Sequence, residues 1–169
     1  MNVVLCGMMG AGKTTVGIQI AELTGRRWYD TDGVIVDKYG KISDIFEYYG
    51  EAHFRKLETE IVKQFSTQDN LVISTGGGLV LKEENNALLK ANGKIVFLRA
   101  SFETLAKRLI VDGTRPLLQS STESIYERLQ KLLKERTPIY ERVADCIVDV
   151  DGKTPKQIAE EVVRVVAQA

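Results

Sequence analysis

The sequence predicts an α/β fold of three layers: a central parallel sheet of about five strands, flanked by helices. Two observations predict it. Short apolar, β-rich runs alternate along the chain with segments whose apolar residues recur at helical spacing. The first apolar run also leads straight into a glycine-rich turn that opens a helical pattern. Such alternation implies parallel strands joined by right-handed crossovers. With 169 residues and no linker, internal repeat or low-complexity segment, residues 1–169 read as a single domain.

Each element follows from its residues. Asn2–Cys6 is apolar and bounded by glycine, a buried strand. From Lys13, the residues Val16, Ile20 and Leu23 mark one face of a helix, and Gly25 stands where its C-terminal cap belongs. Arg27–Asp30 reads as the second strand. Ile42 to Phe65 is mostly helical, with Ile45, Phe46, Leu57, Ile61 and Phe65 directed to the core, and Gly50 divides it into at least two helices. Leu71–Ser74 is the third strand, Lys82–Ala91 a helix, Lys94–Leu98 the fourth strand and Phe102–Leu109 a further helix. Val111 to Thr122, with Gly113, Pro116 and several Ser and Thr, reads as a loop of about ten residues, long enough to serve as a mobile lid. Ser120 and Glu123 have the spacing of a capping box for the next helix, whose buried face is Ile125, Leu129, Leu132 and Leu133. Cys146–Val150 is the last strand. Thr154 caps a final helix with Pro155 at its first position and Ile158, Val162, Val165 and Val166 inside.

Composition narrows the function. Lys plus Arg and Asp plus Glu are both 23, so the formal net charge is zero, which argues against general nucleic-acid binding. A hydrophobic fraction of 44% and a charged fraction of 27% are ordinary for a globular protein. Cys6 and Cys146 lack metal-ligand spacing and sit in apolar runs, so both read as small buried hydrophobes. Met1–Cys6 has neither the basic start nor the length of a signal peptide, and no stretch approaches a membrane span. A cytoplasmic protein without membrane or nucleic-acid partners is expected. It is expected to be a monomer, since no exposed apolar stripe is evident.

The chemistry begins at Gly7-Met8-Met9-Gly10-Ala11-Gly12-Lys13-Thr14, a match to the phosphate-binding pattern G-x-x-x-x-G-K-[ST] between a strand and a helix. Glycines let backbone N–H groups approach phosphates, and the helix start adds its positive end. Gly10, Ala11, Gly12, Lys13, Thr14 and Thr15 are therefore expected to bind the nucleotide, with Lys13 at the β- and γ-phosphates and the Thr14 hydroxyl on Mg2+. A glycine-rich turn without a ligand accounts for neither Lys13 nor Thr14. The loop does not by itself name the acceptor.

Further motifs follow. Asp30-Thr31-Asp32 ends the second strand, Phe54-Arg55 precedes Glu58, and Thr75-Gly76-Gly77-Gly78 follows the third strand. Arg115-Pro116-Leu117-Leu118 lies in the lid segment, and Arg136 precedes Pro138 and Tyr140. In this order and spacing, the motifs resemble the shikimate kinase family from about residue 3 to about residue 165. The resemblance implies a P-loop kinase fold with a substrate-binding segment over about 31–60. It implies transfer of the ATP γ-phosphate to the 3-hydroxyl of shikimate, with Mg2+. It implies that Asp30 helps hold Mg2+ through water, that Asp32 binds the substrate hydroxyls, and that Arg55 and Arg136 bind the carboxylate. Gly76, Gly77 and Gly78 would let the substrate approach the backbone, Arg115 would close on the γ-phosphate, and Arg108 would stack on adenine with Pro155 beneath. By the same resemblance Lys13, Asp32 and Arg115 are the catalytic residues. Thr14 stands where Ser is commoner, Gly33 where many members carry a polar residue, and His53 where Tyr is frequent.

The chemistry of the residue types is compatible with these roles. Guanidinium forks suit a carboxylate, and an aspartate can accept from two hydroxyls of a diol and take the proton of the attacking one. Simpler readings exist for each. Either aspartate can merely cap the following helix, Arg55 and Glu58 can form a surface pair, and Arg108 and Arg136 can be helix-surface residues. Two other functions remain open at this level: a kinase for gluconate or a nucleotide, and a nucleotide-binding protein without catalysis.

Overall fold

The computed structural model describes residues 1–112 and 124–169. Five strands form one sheet: β1 (Asn2–Cys6), β2 (Arg27–Asp30), β3 (Leu71–Ser74), β4 (Gly93–Arg99) and β5 (Cys146–Asp149). Their order is β2-β3-β1-β4-β5, and every pairing is parallel. The helices are α1 (Lys13–Thr24), α2 (Thr31–Tyr39), α3 (Ile42–Tyr49), α4 (Glu51–Ser66), α5 (Glu83–Ala91), α6 (Phe102–Asp112), α7 (Ile125–Val143) and α8 (Pro155–Gln168), with a 3-10 turn at Leu79–Leu81. α1 packs with α8 and α4 with α5, so helices flank the sheet. None of the helices described is long and apolar enough to cross a membrane.

The order of the strands fixes where a ligand can sit. β1 is central and buried along its whole length, as a strand flanked on both edges and covered on both faces must be. The chain leaves β1 toward the β2 edge and leaves β3 toward β4. The carboxyl ends of neighbouring strands β1 and β3 therefore face a crevice from which the connections part in opposite directions, the usual ligand position in an open parallel sheet. The glycine turns Gly7–Gly12 and Gly76–Gly78 are the segments that open there.

Most elements fall within a residue or two of expectation. α6 extends through Val111 and Asp112, two positions expected in the loop. The rest of the expected lid, and the Ser120–Glu123 cap, lie outside the described residues. α7 is capped by Ser124, whose hydroxyl accepts from Glu127 N at 3.2 Å while Glu127 Oε2 accepts from Ser124 N at 3.3 Å. Thr154 and Gln157 cap α8 in the same reciprocal way, with Pro155 at its start as expected.

Three expectations are corrected. α1 buries Val16, Gly17 and Ile20, and its last turn leaves Leu23 48% exposed. Ile125, in the first turn of α7, is exposed, while Leu129 is fully buried one turn later. Cys146 begins the edge strand β5 and is only partly buried, unlike Cys6 in the centre of the sheet. The helix after Asp30, named above without bounds, is α2. Asp30 caps it by accepting from Asp32 N and Gly33 N, and Gly40 ends it at φ 91°.

Candidate active site

The crevice is a cleft of about 1150 Å³ at the carboxyl ends of β1 and β3. Its two ends are built differently.

At one end backbone dominates. Gly7, Gly10 and Gly12 hold φ of 142°, 83° and 95°, a region that only glycine enters without strain. Gly12 is the N-cap of α1, no side chain caps that terminus, and no acidic residue occupies its first turn. Its first N–H groups and the positive end of the helix thus point into the cleft. Lys13 Nζ lies across the loop, donating to the carbonyls of Gly7 at 2.7 Å and Met8 at 2.8 Å. Arg108, from α6, donates to the Gly10 carbonyl at 2.7 Å.

Asp30 does two jobs at once. Its Oδ1 caps α2, accepting from Asp32 N at 2.9 Å and Gly33 N at 3.1 Å. Its Oδ2 accepts from the Thr14 hydroxyl at 2.9 Å. A hydroxyl and a carboxylate oxygen therefore meet beside the loop. No group of three or more metal-ligating side chains occurs among the described residues. Mg2+ is normally held by one or two protein oxygens together with phosphates and water, and Thr14 with Asp30 is a donor set of that kind.

β2 makes a second connection to the loop. Trp28 Nε1 donates to Ser74 Oγ at 3.0 Å, and Ser74 Oγ donates to the Lys13 carbonyl at 2.7 Å. Gly17 leaves room for both partners. A Cβ there would lie 2.4 Å from Ser74 Oγ and 2.5 Å from Trp28 Nε1. Sequence reading missed this relay, because its members lie far apart in the chain.

At the other end of the cleft, charged side chains dominate. Three different side chains crowd the three consecutive glycines, taking the space of a Cβ at Gly76 and Gly78 and pressing close at Gly77. A Cβ on Gly76 would lie 2.7 Å from Asp32 Oδ1, one on Gly77 3.3 Å from Arg136 Nη1, and one on Gly78 2.5 Å from both terminal nitrogens of Arg55. The turn is pinned through Gly76 N, which donates to Thr31 Oγ1 at 2.9 Å, and the Gly77 carbonyl, which accepts from the Tyr140 hydroxyl at 2.6 Å. Burial pushes Tyr140 up to about 12, so it remains a neutral donor.

Arg55 is held by its own helix. Its Nη1 donates to Glu58 Oε2 at 2.7 Å and its Nη2 to Glu51 Oε1 at 3.3 Å, and its guanidinium carbon sits 5.3 Å from the centre of the Phe54 ring. Glu58 is 1% exposed, so this is a buried orienting pair and not a surface contact. Burial pushes Glu58 up to about 7, against the attraction of Arg55. Arg136 is buried as well.

Every expected site residue from Gly10 to Thr15, together with Asp30, Asp32, Arg55, Gly76, Gly77, Gly78, Arg108, Arg136 and Pro155, lines this cleft. Arg115 lies outside the described residues. Two cations of the cleft wall were not anticipated, Arg128 and Lys153. Arg128 stands about two helical turns before Arg136, a spacing that places both on adjoining faces of α7 and was legible in the sequence. Lys153 is committed to the fold, donating to Glu161 at 2.7 Å and to the Asp149 carbonyl at 2.8 Å.

Comparison with known proteins places this geometry. A family model described as shikimate kinase matches residues 9–167. A shikimate kinase of Thermodesulfovibrio yellowstonii is 43% identical over 164 residues, covering 96% of this chain and 93% of the relative. Among solved structures, a shikimate kinase from Acinetobacter baumannii in complex with shikimate is similar at a TM-score of 0.92 and 37% identity, covering 99% of this chain and 93% of that one. The shikimate kinase from Aquifex aeolicus is similar at a TM-score of 0.82 and 36% identity, covering 99% and 97%.

Proposed function

The chain belongs to the shikimate kinase family, and from that premise we propose that it transfers the γ-phosphate of ATP to the 3-hydroxyl of shikimate, a step in the biosynthesis of aromatic amino acids. One observation carries the acceptor assignment. Asp32, Arg55 and Arg136 come from α2, α4 and α7, yet all three converge on Gly76–Gly78 in the cleft that the phosphate-binding loop also lines. Shikimate offers a carboxylate for two guanidiniums and hydroxyls for an aspartate, a chemistry that matches these three side chains.

The roles follow from position. N–H groups of the loop and the α1 start receive the phosphates. Lys13 leaves the Gly7 and Met8 carbonyls to neutralise charge on the β- and γ-phosphates as it moves to the transferred group. Thr14 and Asp30, whose side-chain oxygens meet at 2.9 Å, would hold Mg2+. When bound, Mg2+ supplies charge neutralisation to the phosphates. Arg55 and Arg136 fix the carboxylate, which turns the ring so that its 3-hydroxyl faces the loop. Asp32 accepts from that hydroxyl and takes its proton as the oxygen attacks phosphorus. Thr14, Asp30 and Asp32 are tied to one another through backbone and side chain, so the two reactants share one frame. Arg108 and Pro155 border the adenine position. Arg115, which lies outside the described residues, is assigned to the γ-phosphate on the family resemblance alone. The protein works as a cytoplasmic monomer of one domain.

Release of ADP measured by a coupled assay with shikimate, gluconate and nucleoside monophosphates in parallel tests this reading. ADP release dependent on shikimate is expected. ATP consumption indifferent to shikimate overturns it.

A further inference from the structure

Glu58 and the charged groups that act on it, Asp32, Arg55 and Arg136, are two of each sign, with Arg128 also lining the cleft, and an anionic acceptor adds a negative charge to them. This inference rests on the acceptor reading above. Two carboxylates, Asp32 from α2 and Glu58 from α4, face two guanidiniums, Arg55 from α4 and Arg136 from α7. Glu51 also reaches Arg55, but its side chain is 61% exposed and water screens it. Tyr140, on the side of α7, carries no charge. A substrate carboxylate gripped by Arg55 and Arg136 adds a negative charge to this set and displaces water, which raises the cost of every unbalanced charge left behind.

Neutralising one carboxylate relieves that excess negative charge. Asp32 is needed ionised, because it accepts from the reacting hydroxyl. Glu58 is the alternative. It is almost wholly buried, it reaches Arg55 through Oε2 alone, and its Oε1 is buried with no hydrogen-bond partner. Protonation on Oε1 removes the charge that burial penalises and keeps Oε2 as an acceptor for Arg55. We propose that the acceptor binds together with a proton, and that Glu58 takes it, acting as a positioning residue that holds Arg55 in either protonation state.

The sign of the effect follows. Burial, with Asp32 adding to it and Arg55 and Arg136 opposing it, already brings Glu58 to about 7 in the empty site. A bound carboxylate acts in the same direction as Asp32 and moves Glu58 higher still. Below pH 7 Glu58 is protonated with and without acceptor, so affinity is flat. Above pH 7 binding draws in a proton, and affinity falls by up to about tenfold per pH unit until the bound-state value is passed. The acceptor's own carboxyl, with an ordinary value near ~4, does not titrate in this range.

Titration calorimetry of shikimate into the full chain, at pH 6 and pH 8 in pairs of buffers with different ionisation heats, tests the proposal. Uptake of about half a proton per shikimate is expected near pH 7.5 to 8, with little at pH 6. Glu58→Gln is expected to bind without proton uptake and with pH-independent affinity. Normal binding by the unmodified protein with no proton uptake at pH 8 overturns the proposal, and so does uptake that persists in Glu58→Gln. No binding at any pH removes the acceptor reading itself, and the proposal with it.

Discussion

The two ends of the cleft solve the problem of holding an anion in opposite ways. The nucleotide end relies on backbone: glycines at positive φ, an uncapped helix start, and side chains that lie folded onto the loop's own carbonyls. The acceptor end relies on side chains delivered by three helices onto a bare glycine turn, with a buried carboxylate orienting one guanidinium. A backbone site needs little beyond local sequence. A site built from buried charges depends on the whole topology, and burial raises Glu58 within it to about 7. Tightness at the first end thus comes from local geometry, and selectivity at the second from tertiary assembly.

Substitutions can break that contrast. Lys13→Met removes the lysine that lies across the loop and is proposed to neutralise the phosphates. Turnover should fall on the order of 10²–10³-fold or more, measured as kcat with unchanged far-UV circular dichroism. Near-normal kcat would contradict the assignment of the loop. Gly78→Ala places a methyl group at the position of the Arg55 guanidinium, with nothing comparable at the nucleotide end. The KM for shikimate should rise about 10²-fold, because a displacement of about 1 Å in a positioning group has an effect of that order. The KM for ATP should change little. Equal losses for both substrates would show that the two ends are not separable. Trp28→Phe deletes the donor to Ser74 while preserving an aromatic ring. Loss of about 1 kcal/mol in stability is expected from denaturant unfolding, with a small rise in the KM for ATP alone. An effect confined to the shikimate KM would place the relay at the wrong end.

What the sequence disclosed follows the same division. The phosphate loop is contiguous, so Gly7 to Thr14 could be read with its geometry from local pattern alone. The strands were legible to within a residue or so, because each is a short apolar run between breakers. The acceptor residues could be named from spaced motifs, but not the reason for three glycines, since each faces a side chain from a different helix. The Trp28–Ser74–Lys13 relay joins residues 46 and 61 positions apart and leaves no periodic signal. The bounds of α2 were not legible because Gly33 lowers helix propensity in its first turn. Asp30 caps α2 through Oδ1 and meets Thr14 through Oδ2, so helix capping does not exclude the proposed metal role of that residue.

The claim that a carboxylate is gripped by Arg55 and Arg136 is tested most directly by comparing shikimate with its methyl ester as acceptors, measuring kcat/KM from ADP release at saturating ATP. The ester keeps the ring and its hydroxyls but loses the anion. The account predicts a kcat/KM for the ester at least about 10²-fold below that of shikimate, as expected when buried charged groups lose their partner. Equal kcat/KM values for the two would contradict it.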